Sequence, residues 1–485
     1  MELVTIATTM RGTVEKSKLQ NWREKAKQRR LKCEYWKRRS QGLEESRDNW
    51  KDKAKARLEE IRKLEQQLKC LGKGGELKDK PKPRGHSYSL GVMQLALMLR
   101  QRGEISYRGC CKVLYSLQLL LCLDICQPSY SSIRYWEQKM GYHRLSTAQS
   151  EPEQEWVLII DESIAIGREK LLLFLGVNLA AYSFGQPLSF EDVEVLGLAI
   201  SRSWKAPEIQ AQLEKVMEKG FNIVYGVADQ GNNLRKTLAQ MDIVHVADCT
   251  HAFSLILEKE YKKHEVFQRF CQLCGQMRRK GSLSKYTAIL PPAQRSKARY
   301  LNLTPLFGWA SDCLKLLGKA KQLDKGQKQL LEHVQWLKEY EAFIIQTSAV
   351  LKLFNQIQKT IKYEGLNDEN LVECKAAIKE STIAEHFKES LRQYLQQNRQ
   401  LLPGRQKIIC CSDIIESYFG KYKMQAGQNI TQQCLRILNY GKVQDESEIK
   451  AAMEQVKIVD LNRWSEENLP LSTKAQRRRL FKNTG

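Results

Sequence analysis

No apolar run in this chain is long enough to cross a bilayer. The longest, around Leu117 to Ile125, is interrupted by Gln118 and Asp124 and falls well short of the roughly 20 residues a spanning helix needs. Residues 1–14 lack an unbroken apolar core, so no secretory signal is expected there. The 14 cysteines follow no disulfide framework, and Cys110-Cys111 and Cys410-Cys411 are adjacent pairs. These absences exclude membrane-spanning and disulfide-stapled secreted classes, and predict a soluble, cytoplasmic chain with reduced thiols. Also missing is the Gly-rich turn that a doubly wound nucleotide-binding domain places after its first strand. Acid is in short supply: 55 Asp and Glu stand against 79 Lys and Arg, a formal net charge of +24.

That shortage is uneven. Residues 1–86 carry 25 Lys and Arg against 13 Asp and Glu, whereas 151–250 carry 8 against 15. A basic protein with one acidic segment is the pattern of a DNA binder that also houses a cation site, although a solvated basic surface gives the same totals. At 485 residues the chain should hold more than one domain, with ample apolar content for cores.

Residues 15–71 contain no proline, and Trp22, Trp36 and Trp50 recur every 14 residues, two heptads apart. This predicts a long basic helix, single or paired as a coiled coil, that could lie along a DNA backbone. Glycine, proline and charge mark 72–86 as a linker. Three short helical patterns follow, over Leu90–Gln101, Tyr107–Cys122 and Ser129–Met140, with Ser106 and Ser129 as N-caps. They have the form of a helix-turn-helix over 87–145, in which Ser131, Ser132, Arg134, Tyr135 and Lys139 would face DNA. A purely structural three-helix bundle would show the same pattern.

From Glu155 the periodicity changes. Three strands (WVLIID, KLLLFLGVNLA, EDVEVLGLAIS), a helix over Pro207–Lys219, the strand NIVYGVAD, a helix NNLRKTLAQM and the strand DIVHVAD follow in turn. This is the ribonuclease-H-like order, and it predicts an α/β core over 146–251. Residues 252–405 then read as an all-α insertion, with helical runs over Ala252–Met277, Gln327–Lys362 and Thr382–Leu401 and a capping box at Thr382 and Glu385. The core resumes over 406–440, and 441–485 reads as a polar tail with the basic cluster Arg477-Arg478-Arg479.

Three acidic residues stand out in this frame. Asp161 ends the apolar run WVLII, Asp229 ends IVYGVA, and Glu416 lies in the amphipathic helix DIIESYFGKYK. A carboxylate just past a buried strand sits at a sheet edge, where metals and substrates bind, and three of them can hold two divalent cations around a phosphodiester. Glu162 is a rival ligand, but along a strand it falls on the opposite face from Asp161. Asp248 is a rival to Asp229. Cys249 and His251 with Cys271 and Cys274 offer a softer, zinc-like set, although the second pair falls in mid-helix.

The order Asp161, Asp229, helical insertion, Glu416 resembles the DDE transposases, whose ribonuclease-H-like core is split by an insertion before its glutamate. Asp248-Cys249-Thr250-His251 resembles the C/D-x-x-H motif of the hAT and Mutator-like superfamilies and their bacterial insertion-sequence relatives. The string from Glu416 to Lys423 (ESYFGKYK) resembles the E-S-x-F-x-x-x-K helix of insertion-sequence transposases. The likeness spans roughly residues 150–440. It implies that Asp161, Asp229 and Glu416 ligate two Mg²⁺ or Mn²⁺ ions, with Asp248 and His251 as accessory residues. It also implies that Lys421 and Lys423 contact phosphates, and that Trp309 stacks on a flipped base unless it is a core residue. The implied partners are double-stranded DNA, both element ends and target, and further copies of the chain. The implied setting is a bacterial nucleoid. A metal-dependent nuclease or resolvase, or a silent DNA-binding regulator derived from a transposase, would share much of this pattern.

Overall fold

The computed structural model describes residues 80–485 except 122–125, 167–168, 282–285, 295–298, 320–324, 426, 428, 472 and 483–485, together with isolated positions between 29 and 58. The long helix expected over 15–71, and most of the linker after it, therefore lie outside the described residues. The chain opens with α1 (Leu90–Gln101), α2 (Tyr107–Leu121) and α3 (Tyr130–Thr147). Next come β1 (Glu155–Ile166), β2 (Glu169–Asn178), β3 (Glu194–Ser201), α4 (Ala206–Met217), β4 (Asn222–Ala228), α5 (Asn232–Gln240) and β5 (His245–Ala247). Among the described residues seven α-helices follow: α6 (Cys249–Tyr261), α7 (Glu265–Gly281), α8 (Leu303–Gly318), α9 (Lys325–Glu332), α10 (Glu341–Glu364), α11 (Asp368–Glu380) and α12 (Glu385–Gln400). The chain ends with α13 (Asp413–Gln425), a 3₁₀ segment (Gln432–Asn439), α14 (Glu446–Gln455), α15 (Ile458–Asn468) and α16 (Thr473–Lys482). The whole is mixed α/β and mostly helical, with one five-stranded sheet among the described residues.

Two compact units result. One comprises Met1–Lys73, Met277–Pro291 and Ala310–Glu341. Within it Arg278 donates to the Pro291 carbonyl at 2.7 Å, the Tyr286 and His333 rings stack 4.0 Å apart, and Leu331, Val334 and Leu337 are buried. The other unit holds the sheet and the remaining helices.

The sheet order is β3-β2-β1-β4-β5, with β1–β2 and β2–β3 antiparallel and β1–β4 and β4–β5 parallel. That order is compatible with a ribonuclease-H-like core. Alternation along the strands decides which residues face which layer. Trp156, Leu158 and Ile160 pack with Ile209, Leu213 and Val216 of α4 and Leu234 and Leu238 of α5. The odd positions, Val157, Ile159 and Asp161, belong to the opposite face. There Tyr225 accepts a hydrogen bond from the Ile409 backbone N–H at 2.9 Å, so the chain leading into α13 covers that side. The outer edge of β5 is sealed by α12: Asn398 accepts from Ala247 N at 3.0 Å, and Tyr394 donates to Ala247 O at 2.9 Å. An edge strand closed in this way has no free ladder to offer another chain.

Four expectations need correction. Gln327–Lys362 is not one helix but divides into α9, a 3₁₀ segment (Gln335–Tyr340) and α10. The run Ala252–Met277 is not one helix. His264 interrupts it and accepts from Phe267 N at 3.3 Å, which starts α7 afresh. Thr382 does not cap α12, which starts after Ala384; burial of Ile383 and Phe387 overrides the local capping signal. The segment 441–485 is not a free polar tail, because Ile449, Ala452 and Met453 of α14 complete the core formed by Leu90, Met93, Leu97, Cys110, Leu114, Ile133, Trp136 and Met140.

This last packing bears on α3. Ser129 caps it as expected, accepting from Ser132 N at 3.1 Å. Its second half is enclosed, however, and a Cβ on Gly141 would stand 2.0 Å from Leu435 O of the 3₁₀ segment. Lys139, expected to face DNA, is 7% exposed and donates to Met453 O at 3.0 Å. Only the N-terminal half of α3, with Arg134 and Tyr135 partly exposed, remains open to a ligand.

Candidate metal centre and its surroundings

β1 runs parallel to β4 with Ile159 opposite Val227, and β4 parallel to β5 with Ala228 opposite Ala247. Continued two residues and one residue, these registers put Asp161, Asp229 and Asp248 in one row across three neighbouring strands. Asp229 and Asp248 directly follow β4 and β5. Asp161 does not end its strand as expected, because β1 runs on to Ile166 in its hairpin with β2, where Asp161 pairs with Leu173. Adjacent strands lie about 4.8 Å apart. Asp248 remains in the ladder, its N–H donating to Ala228 O at 3.0 Å. Asp161 and Asp229 are partly buried. One Asp229 oxygen accepts from Gly231 N at 2.8 Å, in the turn that starts α5.

Asp248 is fully buried and takes three hydrogen bonds: Ser412 N at 2.7 Å on one oxygen, and His251 N at 2.7 Å and His251 Nδ1 at 2.9 Å on the other. Burial alone would push its carboxyl up. The His251 ring and the two N–H groups outweigh that and hold it below its ordinary value. As the N-cap of α6 it also supplies negative charge at a helix N-terminus. His251 is raised to about 9, first by its bond to Asp248 and against burial, with Glu416 and Asp161 adding negative field. The imidazole is therefore cationic near neutral pH.

The far side of that ring meets α13. Glu416 Oε1 is 3.6 Å from His251 Nε2, and the glutamate side chain is 53% exposed. Its pKa is raised, first by burial and then by Asp413 and Asp248, while His251 and Lys362 act against the rise. Asp413, one helical turn before Glu416, accepts from Thr250 Oγ1 at 2.9 Å and pairs with Lys362 Nζ at 2.5 Å. Sequence reasoning missed Ser412, Asp413, Thr250 and Lys362. The i, i+3 spacing of Asp413 and Glu416 was the one local signal for any of them.

A second group of potential ligands is softer. Asp248, Cys249 and Cys411 offer atoms within 4.8 Å of one another, and no other such trio occurs among the described residues, so the ligand oxygens of Asp161, Asp229 and Glu416 do not all converge that closely. It fits a resident metal poorly. Both Asp248 oxygens are already hydrogen-bonded, and the Cys249 and Cys411 thiols are both raised, which favours the protonated form over the thiolate a metal needs. Cys271 and Cys274 lie buried on α7 and are not in that group.

The remaining residues singled out by sequence are dispersed. Lys421 is committed to Glu104 at 3.1 Å and lies over the Phe190 and Tyr440 rings. Lys423 is exposed and, seven residues after Glu416, shares its solvent face of α13. Trp309 is partly buried on α8, between buried Phe307 and Ala310. The Arg134 guanidinium lies 5.0 Å from the centre of the Tyr135 ring. No described helix is long and apolar enough to cross a membrane.

No family model matches this chain, and no curated protein does. Among solved structures, the Drosophila P element transposase strand transfer complex is similar with a TM-score of 0.38 and 14% identity, over 83% of this chain and 100% of that one. A likeness of that size decides neither fold nor chemistry.

Proposed function

We propose that this chain is a DDE-type DNA transposase, with Asp161, Asp229 and Glu416 as the ligands of a pair of Mg²⁺ or Mn²⁺ ions. What supports this reading is the β1–β4 register, which when extended two residues brings Asp161 level with Asp229, together with His251, whose ring faces a half-exposed Glu416 on α13. The donor set is carboxylate oxygen throughout, which suits hard divalent cations. Negative charge exceeds positive at this spot, and a dication would offset the surplus. When bound, such ions acidify an attacking water or 3′-hydroxyl and neutralise the departing oxygen.

The protein's own groups have separate tasks. Asp248 orients the His251 ring, and the cationic ring holds Glu416 towards the row of aspartates. Gly231 N–H fixes one oxygen of Asp229 and leaves the other free. Lys423, exposed on the same face of α13, would meet a phosphate beside Glu416. Arg134 and Trp309 are further DNA contacts under this reading, and binding of two element ends requires at least a homodimer.

The test uses duplexes carrying the DNA that flanks this gene, with Mg²⁺ or Mn²⁺. Asp161→Ala, Asp229→Ala and Glu416→Ala should each abolish cleavage while retaining end binding. Joining of cut ends to a second duplex supports the transposase. Free ends alone would make the protein a nuclease, and binding with no cutting under either metal would make it a regulator.

A further inference from the structure

We infer that Lys362 is a positioning residue for Glu416, acting from the helical insertion through Asp413. The inference rests on the reading of Glu416 as a metal ligand. Lys362 lies in the last turn of α10, and its ammonium meets one oxygen of Asp413 at 2.5 Å while Thr250 donates to the other at 2.9 Å. A single carboxylate thus joins α10, α6 and α13. Asp413 opens α13, and Glu416 stands three residues on, along the same edge of the helix. Thr250 directly precedes His251, the ring that faces Glu416.

An acid in the first turn of a helix is ordinarily explained by the helix dipole alone. That account needs no lysine, and a cation at a helix N-terminus is unfavourable. Lys362 comes from another element and is 21% exposed, so its desolvation must be offset by something the dipole does not provide. The backbone pins the same place independently. Leu366 and Ile408 exchange hydrogen bonds at 2.7 and 2.9 Å, and Gly365, with φ +68°, ends α10 so that the chain can turn into that bridge. The end of α10 is therefore held to the approach of α13 twice, once by backbone and once by the Lys362–Asp413 pair. The backbone bridge fixes where α13 begins. The ion pair fixes the rotation of its first turn, and hence where Glu416 points.

Groups that orient metal ligands typically change metal affinity about 10–100-fold when removed. The experiment measures Mn²⁺ binding to the full chain by calorimetry and by the Mn²⁺-induced rise in Tm, for the unaltered protein, Lys362→Met, Lys362→Arg, Thr250→Val and Glu416→Gln. We expect Lys362→Met to weaken Mn²⁺ about tenfold with little change in metal-free Tm. Lys362→Arg should restore most of the affinity, and Thr250→Val should shift it in the same direction as Lys362→Met but less. Unchanged affinity in Lys362→Met, with loss in Glu416→Gln, overturns the inference and leaves the proposed function standing. Unchanged affinity in Glu416→Gln as well removes the metal-ligand reading and the inference with it. Should Lys362→Met fail to fold, Thr250→Val decides, and affinity equal to the unaltered protein's overturns the idea.

Discussion

Asp248 and Glu416 stand at the two nitrogens of one imidazole and are held in opposite ways. Asp248 is sealed from solvent, with two backbone N–H groups and the ring closing on it at 2.7–2.9 Å. Glu416 is half exposed and approaches the same ring at 3.6 Å. The first cannot accept a new partner without surrendering an old one in a buried setting, where an unpaired polar group is costly. The second has acceptor capacity to offer. Adjacent acids can therefore divide the work, one fixing the geometry and the other receiving the ligand.

The sharpest way to break this comparison is to remove each acid in turn. Asp248→Ala leaves His251 and Ser412 N without their acceptor, and should cost about 3–5 kcal/mol of stability. Glu416→Gln should change metal-free stability by less than about 0.5 kcal/mol. Urea unfolding in chelator measures both. Equal costs would mean that Glu416 is as structural as Asp248.

How much of this was legible differs by element. The strands were, because WVLII, LLLFLGV and IVYGVA are apolar runs that a two-faced buried sheet requires. The row of carboxylates was legible only in part. The end of an apolar run marks Asp161 and Asp229, but Asp161 proves to lie inside a longer strand, and their alignment depends on register, which no local pattern states. Asp248 as a fully paired N-cap was not legible at all, since one of its donors, Ser412, is 164 residues away. The enclosure of Lys139 was hidden for the same reason: α14, which buries it, lies some 310 residues downstream and reads as tail. Lys362 carries no local signal, as its partner comes from a different helix.

The next effect is a pH dependence. In metal-free protein His251 is raised to about 9 by Asp248. A group raised on folding adds stability that is complete below its ordinary value, near 6.5, and is lost as pH climbs through 9. The gap amounts to on the order of 3 kcal/mol. Asp248, held low, adds stability that disappears in the other direction, as pH falls through its depressed value. Urea unfolding at pH 6.5 and pH 9 should show the unaltered protein losing stability relative to His251→Gln over that interval. Parallel curves would mean that the ring is not a cation in the fold, and the distinction between the two acids would lose its common partner.

Asp229 supplies the intermediate case and the smallest effect. One of its oxygens is tied to Gly231 N–H at 2.8 Å, so it is neither sealed like Asp248 nor as open as Glu416. The backbone of Gly231 (φ −59°) would tolerate alanine, but a Cβ there would stand 2.8 Å from the same Asp229 oxygen. Gly231→Ala must therefore move the carboxylate rather than strain the chain, at a cost of about 1 kcal/mol in stability. If Asp229 ligates metal through its remaining oxygen, that movement should lower Mn²⁺ affinity a few-fold in calorimetry. A stability loss with undiminished Mn²⁺ binding would show that the turn holds Asp229 for packing alone. The graded series from sealed to tied to open would then describe the architecture of the strand ends and not their use.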